Sequence, residues 1–414
     1  MRRSDLVLAG LLAGCPAPRS PQVDALIAPS TLEIGRTGAS LRGVAGDATT
    51  TYAATSVAGK TTIEARRGEA IAWHAELDAD GGPLARSGDL LVATTASSLT
   101  ALEAATGAPR WKLPLAVSDW AIIAAIAPAP DGVVIGGSFS GTLRAGDRVV
   151  SSAGRSDGFV ARVTASGAVA WLVRIGGAGA DAVQGVAASA DRVAIAGTFA
   201  SGGELQGQSF APFDEHSFNA DVFIAELDLA GKRLWGASFG GKADDTVAGV
   251  AIDAHGRVVV AANARETIHV GDTDVVARGA SDGLVTWWSP TGTLAGPPLQ
   301  LGGTDFDGLR AIVATGSSIV VAGFFSGTMQ LGGHPLTAGG GDDSYLAAID
   351  DTGRVAQVWP VTGDGREEVT SLAPVPGGFI AGVAHTSAAR VGDAALPSPA
   401  DPLSGAALVV RPVR

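Results

Sequence analysis

Cysteine, aromatic residues and charged residues are all scarce in this sequence, and each scarcity removes a class of protein. Cys15 is the one cysteine among 414 residues, so the chain has no internal disulfide and no zinc or iron–sulfur site built from several cysteines. Charged residues make up 17% of the chain and hydrophobic residues 46%, which is not the composition of a disordered protein. The net charge of −12 repels phosphate backbones, and we therefore expect no nucleic-acid partner.

Long apolar runs and helical periodicity are also missing. No stretch beyond the first fifteen residues is apolar for long enough to cross a bilayer as a helix, and no long window repeats its apolar residues at the helical period. Glycine, in contrast, is abundant, with 58 residues. Glycine in such numbers, without a three-residue period, favours short strands joined by tight turns.

The first fifteen residues have the order of an export signal. A basic start, Met1-Arg2-Arg3, precedes a compact apolar run at positions 6–12 and the tetrapeptide Leu12-Ala13-Gly14-Cys15. Basic residues, a short apolar segment and small residues before a cut are typical of a signal peptide. The tetrapeptide resembles the lipobox of bacterial lipoproteins, and this resemblance implies that Cys15 is lipidated and becomes the N-terminus. A chance Ala- and Leu-rich start with a buried cysteine is the alternative.

These features divide the chain into a lipoprotein signal peptide (1–14), a proline-rich tether (15–30) and a folded body (31–414). We expect an exported protein that contacts the membrane through its lipid anchor only. Pro16, rather than aspartate, follows the cysteine. Under the inner-membrane retention rule of many bacteria, this favours the outer membrane or the cell surface over the inner membrane.

The body repeats itself with a period near sixty residues. Each unit holds four short apolar strands, with a glycine-rich arm between the second and the third, as in Phe139-Ser140-Gly141-Thr142. Four short strands with turn signals between them make one blade of a β-propeller. Four units end alike, at Ile175-Gly176-Gly177, Phe239-Gly240-Gly241, Leu301-Gly302-Gly303 and Val361-Thr362-Gly363.

We predict an all-β chain that forms a single β-propeller of seven four-stranded blades. Five units cover about residues 119–412, and two shorter units precede them, ending at Trp73 and near Trp111. The last unit lacks a fourth strand, which we expect the segment 31–36 to supply. An N-terminal strand in that place would close the ring and cover a free sheet edge.

Two family resemblances accompany these repeats. The repeat Phe-Ser-Gly-Thr…Gly-Gly…Ser-Asp-Gly-Phe-Val-Ala…Gly…Trp…Gly-Gly resembles the seven-bladed β-propeller repeats of secreted and lipid-anchored myxobacterial proteins. The segment 101–111, Ala-Leu-Glu-Ala-Ala-Thr-Gly-Ala-Pro-Arg-Trp, resembles the quinoprotein-like propeller repeat. Together the likenesses cover most of residues 41–412. They imply an envelope or surface protein without an assigned activity, and they do not imply a bound quinone.

Three sets of residues recur at fixed places in the units. The tryptophans of the fourth strands are predicted to pack between blades, and the aspartates that begin the third strands to cap turns. A second acidic set opens the first strands. Since first strands line the channel of most propellers, this set is predicted to form a partial acidic ring that binds cations or cationic groups at one channel mouth; turn chemistry is the alternative. The sets are Trp73, Trp111, Trp171, Trp235 and Trp359; Asp157, Asp221, Asp282 and Asp343; and Asp181, Asp245, Asp307 and Glu367.

The rest of the sequence contains no catalytic constellation. The six histidines have no metal-ligand spacing, and Asp214-Glu215-His216 lies in an extended arm that is either a binding loop or a solvated insertion. We expect no catalytic residue, metal or cofactor, and a non-catalytic envelope lipoprotein whose propeller binds or scaffolds an unknown protein or small molecule. A hydrolase or lyase acting at the channel mouth is the first alternative, and a carbohydrate-binding adhesin with exposed aromatic residues is the second.

Overall fold

The computed structural model describes residues 30–34, 39–214, 219–396 and 405–410. In these ranges the regular secondary structure is β-strand throughout, as the short apolar patterns and frequent glycines predict. The described ranges contain no helix that is long and apolar enough to cross a membrane. The predicted signal peptide, Cys15, and Glu215 and His216 of the extended arm lie outside the described residues.

Six blades are each formed by one continuous segment of chain, and in each the four main strands pair antiparallel in sequence order. Blades 1 and 2 contain β2 (Ser40–Gly46), β3 (Thr51–Val57), β4 (Lys60–Arg67) and β5 (Ala70–Leu77), then β6 (Gly81–Ser87), β7 (Leu90–Thr95), β8 (Ser98–Glu103) and β9 (Pro109–Val117). Blade 3 contains β10 (Trp120–Ala129), β11 (Gly132–Ser140), β14 (Asp157–Thr164) and β15 (Val169–Ile175), with the arm strands β12 (Thr142–Ala145) and β13 (Arg148–Ser151).

The other three continuous blades carry arms of the same kind. Blade 4 contains β16 (Ala182–Ala188), β17 (Arg192–Ala200), β20 (Ala220–Asp228) and β21 (Arg233–Gly241), with the arm β18 (Gly203–Leu205) and β19 (Gln208–Phe210). Blade 5 contains β22 (Thr246–Ile252), β23 (Val258–Ala264), β26 (Asp282–Trp288) and β27 (Leu299–Leu301), with the arm β24 (Thr267–Val270) and β25 (Thr273–Val276). Blade 6 contains β28 (Gly308–Thr315), β29 (Ser318–Phe325), β32 (Asp343–Ile349) and β33 (Val355–Gly363), with the arm β30 (Thr328–Leu331) and β31 (His334–Thr337).

A further four-stranded sheet is composite, because it joins the two ends of the chain. The strand β1 pairs antiparallel with β38, from Ser30 opposite Val409 to Ile34 opposite Gly405. The described N-terminal strand spans 30–34, and residues 35 and 36 of the predicted segment 31–36 lie outside the described residues. The predicted count of seven blades is corrected to six blades of continuous chain, because the sheet of the last repeat unit takes its fourth strand, β1, from the other end of the chain. The sheet contains β34 (Glu367–Val375), β35 (Gly378–His385), β38 (Gly405–Val410) and β1 (Ser30–Ile34), and its arm is β36 (Ala389–Val391) and β37 (Ala394–Ala395).

The first strands surround a central axis. Around the ring β2 contacts β6, β6 contacts β10, and the series continues through β16, β22, β28 and β34 back to β2. Each of these strands has a register shift near its start, as between Val183 and Gly185, and such bulges bend a strand and increase its twist. Gly185 lies so close to the next first strand that a Cβ there would be 2.8 Å from the backbone N of Val250. Glycine therefore permits the tight approach of neighbouring blades at the axis.

The core lies between adjacent blades rather than inside any one of them. One cluster joins Leu99 of blade 2 to Phe139 and Phe159 of blade 3, all of them fully buried. The arms add to this core by crossing to the preceding blade: β12 pairs with β9, β24 with β21 and β36 with β33. A blade without its neighbours would leave both faces exposed to water, so the blades are stable only as a ring.

Candidate functional site

The second acidic set is placed between the blades, at the starts of the first strands. Its carboxyl groups are at most 1% exposed, and those of Asp181 and Asp307 accept hydrogen bonds from the backbone. Asp181 accepts from the N–H groups of Gly177 (2.7 Å) and Ala200 (3.0 Å), and Asp307 accepts in the same way from Gly303 (2.5 Å). This is the hydrogen bonding of turns, the alternative interpretation of the set. Cation binding by Asp181, Asp245, Asp307 and Glu367 stays a prediction.

The aspartates that begin the third strands cap turns, as predicted. All four are at most 2% exposed, and each accepts a backbone N–H from the segment just before its strand. In three cases the donor lies four positions earlier in the chain. For Asp221 it lies eight positions earlier, because the extended arm intervenes. The donors are Ala153 to Asp157 (3.0 Å), Phe213 to Asp221 (2.6 Å), Arg278 to Asp282 (3.0 Å) and Gly339 to Asp343 (2.7 Å).

The two acidic sets meet at four successive blade junctions. The N–H of Asp181 donates to the carbonyl of Ser156 (2.9 Å), which directly precedes Asp157, and Asp245 donates likewise to Ala220 (2.8 Å). The start of the third strand in one blade is thereby joined to the start of the first strand in the next blade. We call these contacts the junction pairs. They are Asp157 with Asp181 (junction 1), Asp221 with Asp245 (junction 2), Asp282 with Asp307 (junction 3) and Asp343 with Glu367 (junction 4).

Burial and the neighbouring carboxylate both disfavour the ionised form at these junctions. Desolvation, followed by the charge of Asp221, raises the pKa of Asp245 to about 8. At junction 1, desolvation raises the pKa of Asp181 to about 6, and Arg174, whose Nη1 lies 2.5 Å from Asp157, opposes the rise. Desolvation and Asp343 raise the pKa of Glu367 to about 7.

The tryptophan set joins neighbouring blades, as predicted. Trp171 Nε1 of blade 3 donates to the carbonyl of Leu229 in blade 4 (3.0 Å), and its ring lies against Gly231 in the same turn. Gly231 has a φ of +82°, and a Cβ there would be 2.7 Å from the indole. The same contact joins Trp73 to Gly107, Trp111 to Gly167 and Trp235 to Gly292.

One end of the central channel is apolar. A cavity of about 260 Å³ is lined by side chains from five of the strands around the axis, including Ile126, Val186, Ile252, Ile312 and Leu372. All of its lining residues are alanine, valine, isoleucine, leucine or proline. A site of this composition has no group that can move a proton or stabilise a developing charge.

Charged side chains lie near the opposite ends of two strands around the axis. Arg310 of β28 lies 3.1 Å from Glu368 of β34, and Arg366 lies 3.4 Å from the other oxygen of that carboxylate. The Arg310 guanidinium also lies 4.8 Å from the centre of the Phe324 ring. Two arginines thus compensate one carboxylate, and all three side chains are partly exposed.

Two further surface features were not predicted from the sequence. A cavity of about 820 Å³ opens between blades 5 and 6, and its lining includes Gln300, Gln330 and Gln357. The strand β27 at its edge is short, because Pro297 and Pro298, which directly precede β27, have no backbone N–H to donate to a neighbouring strand. On the extended arm, Phe213 stacks on His269 with ring centres 4.3 Å apart. In the described part of the chain, no group of three or more His, Cys, Asp or Glu residues is placed to hold a metal ion.

The meeting of the two acidic sets is what the sequence interpretation missed. The two sets were predicted to have separate roles, one as turn caps and one as a ring. Their members nevertheless lie 24 or 25 positions apart in every unit (157 and 181, 221 and 245, 282 and 307, 343 and 367). That constant separation across blade boundaries was the available signal. Arg174 at junction 1 has no such signal, because its sister positions are not arginine.

Comparison with known proteins supports the fold and does not reach a family. The sequence matches no protein-family model and no curated protein, so neither of the two repeat resemblances is established at the family level. Among solved structures, the WD40 domain of coronin from Toxoplasma gondii is 10% identical, with a TM-score of 0.50, over 95% of this chain and 88% of that one. BamB from Moraxella catarrhalis is 15% identical, with a TM-score of 0.43, over 90% of this chain and 83% of that one. The chain is a β-propeller similar in structure to the coronin WD40 domain.

Proposed function

We propose that this chain is an exported, lipid-anchored β-propeller that acts as a non-catalytic binding or scaffolding protein of the bacterial cell envelope. The anchor rests on the lipobox-like sequence ending at Cys15. The non-catalytic role rests on one observation above others, which is that the carboxyl groups of the acidic sets are enclosed between blades while the cavity on the axis is purely apolar. Rigid propellers commonly present faces and loops for binding.

We further propose that the composite sheet closes the ring between blade 6 and blade 1. The contacts of β34 with β28 on one side and with β2 on the other support this position. The pairing of β1 with β38 supports closure by the N-terminal strand, because a ring that joins its two ends leaves no free edge between its first and last blades.

Membrane fractionation of the wild type and of Cys15→Ala tests the anchor. In a bacterial host supplied with labelled palmitate, the wild type should carry the label and sediment with membranes, preferentially the outer membrane. The variant should carry no label and should be absent from the outer membrane, because a signal peptide that is not cut before residue 15 holds it at the inner membrane. Equal distribution of the two proteins would contradict lipid anchoring at Cys15.

Binding is tested with the mature body fixed to a support and exposed to detergent extracts of native membranes. A partner retained in a fixed ratio, and lost when the soluble body is added as competitor, supports the scaffolding role. Retention that free body does not compete would contradict it.

A hydrolase or lyase is the second candidate, favoured by the contact of Arg310 with Glu368 on two strands that surround the axis. This candidate is weaker because a carboxylate held by two arginines is a poor proton acceptor. If Glu368→Gln abolishes turnover of any ester, glycoside or lyase substrate that the wild type converts, the enzyme replaces the scaffold.

A carbohydrate-binding adhesin is the third candidate. Trp120, Phe213 and Phe306 are each 40–42% exposed, and all three precede or begin strands at the end of the blades that carries the junction pairs. Aromatic faces on one surface are suited to stacking on sugars. Binding on a glycan array that Trp120→Ala and Phe306→Ala both remove would favour this candidate.

A further inference from the structure

The junction pairs bring two carboxyl groups together in places closed to water. The position of a Cβ on Gly176 would be 2.5 Å from Asp181 Oδ2 and 3.0 Å from Asp157 Cγ, so both carboxyl groups flank the same glycine. At junction 4 Glu367 accepts a hydrogen bond from Ser387 Oγ (3.2 Å), and burial and the neighbouring Asp343 side chain both contribute to the raised pKa of Glu367. A hydrogen bond between two carboxyl groups requires a proton on one of them.

The hydrogen-bond partners of these pairs are incomplete. Each carboxylate that begins a third strand has one buried oxygen without a partner, and at junction 2 both oxygens of Asp245 are also unpartnered. A protonated carboxyl group that donates its O–H to the neighbouring carboxylate would satisfy a donor and an acceptor at once. The unpartnered oxygens are Oδ1 of Asp157, Asp221, Asp282 and Asp343, both Oδ atoms of Asp245, and Oε2 of Glu367.

Junctions 1 and 3 each have a side-chain donor that stabilises an ionised carboxylate. Arg174 contacts Asp157 (2.5 Å) at junction 1, and the Gln300 amide donates to Asp282 (2.5 Å) at junction 3. Asp305 adds a further negative charge at junction 3. These two junctions therefore have less need of a bound proton.

Junction 2 is surrounded by groups that do not neutralise it. The charges acting on Asp245 are those of Asp221 and Asp244, both negative, and the nearby backbone N–H groups of Gly241 and Arg265 leave both of its oxygens without a regular hydrogen bond. From the arm, Phe213 contributes only its backbone N–H, to Asp221.

Junction 4 has a more mixed surrounding. Ser387 and the Gly365 N–H donate to Glu367, and Gly339 donates to Asp343. The buried His385 lies opposite Glu367 in the β34–β35 ladder, where its Nδ1 contacts the Ser387 carbonyl. The next residues along the chain, Arg366 and Glu368, pair with each other.

We propose that junctions 2 and 4 each bind one proton, shared between two buried carboxyl groups, and that the folded propeller loses stability when this proton leaves. A bound proton then stabilises the contact between blades at two boundaries, at pH values where isolated carboxyl groups are ionised. Stability becomes greatest in mildly acidic surroundings, in contrast with proteins whose carboxylates are held by cations.

The sign of the pH dependence follows from the direction of the pKa changes. Asp245 has an ordinary pKa of 3.8 and a raised value of about 8 in the folded chain, and the pKa of Glu367 is raised from 4.5 to about 7. Between the ordinary and the raised values, the folded chain holds protons that the unfolded chain has released. Stability therefore falls as the pH rises through this window.

Thermal unfolding of the full chain from pH 5.5 to pH 9 tests the proposal with Asp245→Asn. The amide has the shape of the protonated acid and a donor in place of its O–H. The Tm of the wild type minus the Tm of the variant should fall by about 3 °C or more between pH 5.5 and pH 9. Asp78→Asn, at a site 92% exposed, should keep the wild-type dependence. If Asp245→Asn keeps it as well, the proposal is wrong.

A second measurement decides the matter if Asp245→Asn does not fold. Unfolding in weakly buffered solution near pH 7.5 should release more protons from the wild type than from Glu367→Gln, since the difference cancels the histidines common to both. Equal release would overturn the proposal. So would a rise in the wild-type Tm at pH 9 in millimolar calcium chloride that either variant removes, since a cation rather than a proton would then occupy the junction.

Discussion

Single residues in this propeller act at the boundaries between blades. Trp171 crosses from one blade to a carbonyl in the next, and Gly231 leaves room for its indole. A positive φ alone explains a glycine in a turn, but here the absence of a side chain is also required by the neighbouring blade. The junction carboxyl groups follow the same rule, since the two members of each pair come from neighbouring blades.

Replacing two turn glycines separates these two requirements. Gly59 (φ +78°) has no atom within 4 Å of a built Cβ, whereas Gly231 (φ +82°) meets the Trp171 ring. We expect Gly59→Ala to cost roughly 1 kcal/mol, from backbone strain alone. Gly231→Ala should cost roughly 3 kcal/mol, because the indole must also move. Denaturant unfolding measures both free energies of unfolding, and equal losses would contradict a role for the contact.

At the scale of elements, the arms are part of the core rather than surface loops. The first strand of every arm alternates buried residues with exposed or half-buried ones, and its buried residues pack on the neighbouring blades. Even β30, which pairs only with β31, places Met329 and Leu331 in the core. The glycine-rich sequence indicated the turns of the arms but not the sheet to which each arm adds.

Truncation within the arm of blade 6 tests this packing. Leu331 is 1% exposed, and Leu331→Ala should cost about 2–5 kcal/mol through lost apolar contacts and the cavity left behind. Gln330→Ala, on the exposed side of the same strand, should stay within about 0.5 kcal/mol of the wild type. Urea unfolding followed by tryptophan fluorescence gives both values. A small loss for Leu331→Ala would mean that the arm packs only loosely.

At the scale of the whole molecule, stability depends on continuity around the ring. Each blade buries its faces only against its neighbours, so an unsealed boundary exposes two apolar faces at once. We propose that the pairing of β1 with β38 closes this ring, because it holds residues 30–34 against the C-terminal strand.

Deleting residues 31–36 should therefore lower the Tm of the mature protein by several degrees, because β38 loses its outer partner. Deleting six residues of the tether, 16–21, is the matched control and should leave the Tm unchanged. Differential scanning calorimetry records both. An unchanged Tm after the first deletion would show that the ring does not depend on β1.

The sequence by itself determined the all-β propeller, the strand order within the repeats, the tryptophan contacts and the turn-capping aspartates. Each of these features follows from a local signal, which is a pattern of period two, a turn residue or the repeat itself. Only the tertiary structure decided that Asp245 is enclosed beside Asp221 instead of facing the channel, that one cavity on the axis is apolar, and that the last sheet is assembled from both ends of the chain. These outcomes depend on how the blades pack around an axis. A residue between two blades is buried by its neighbours in the ring, and the sequence of one repeat does not specify those neighbours.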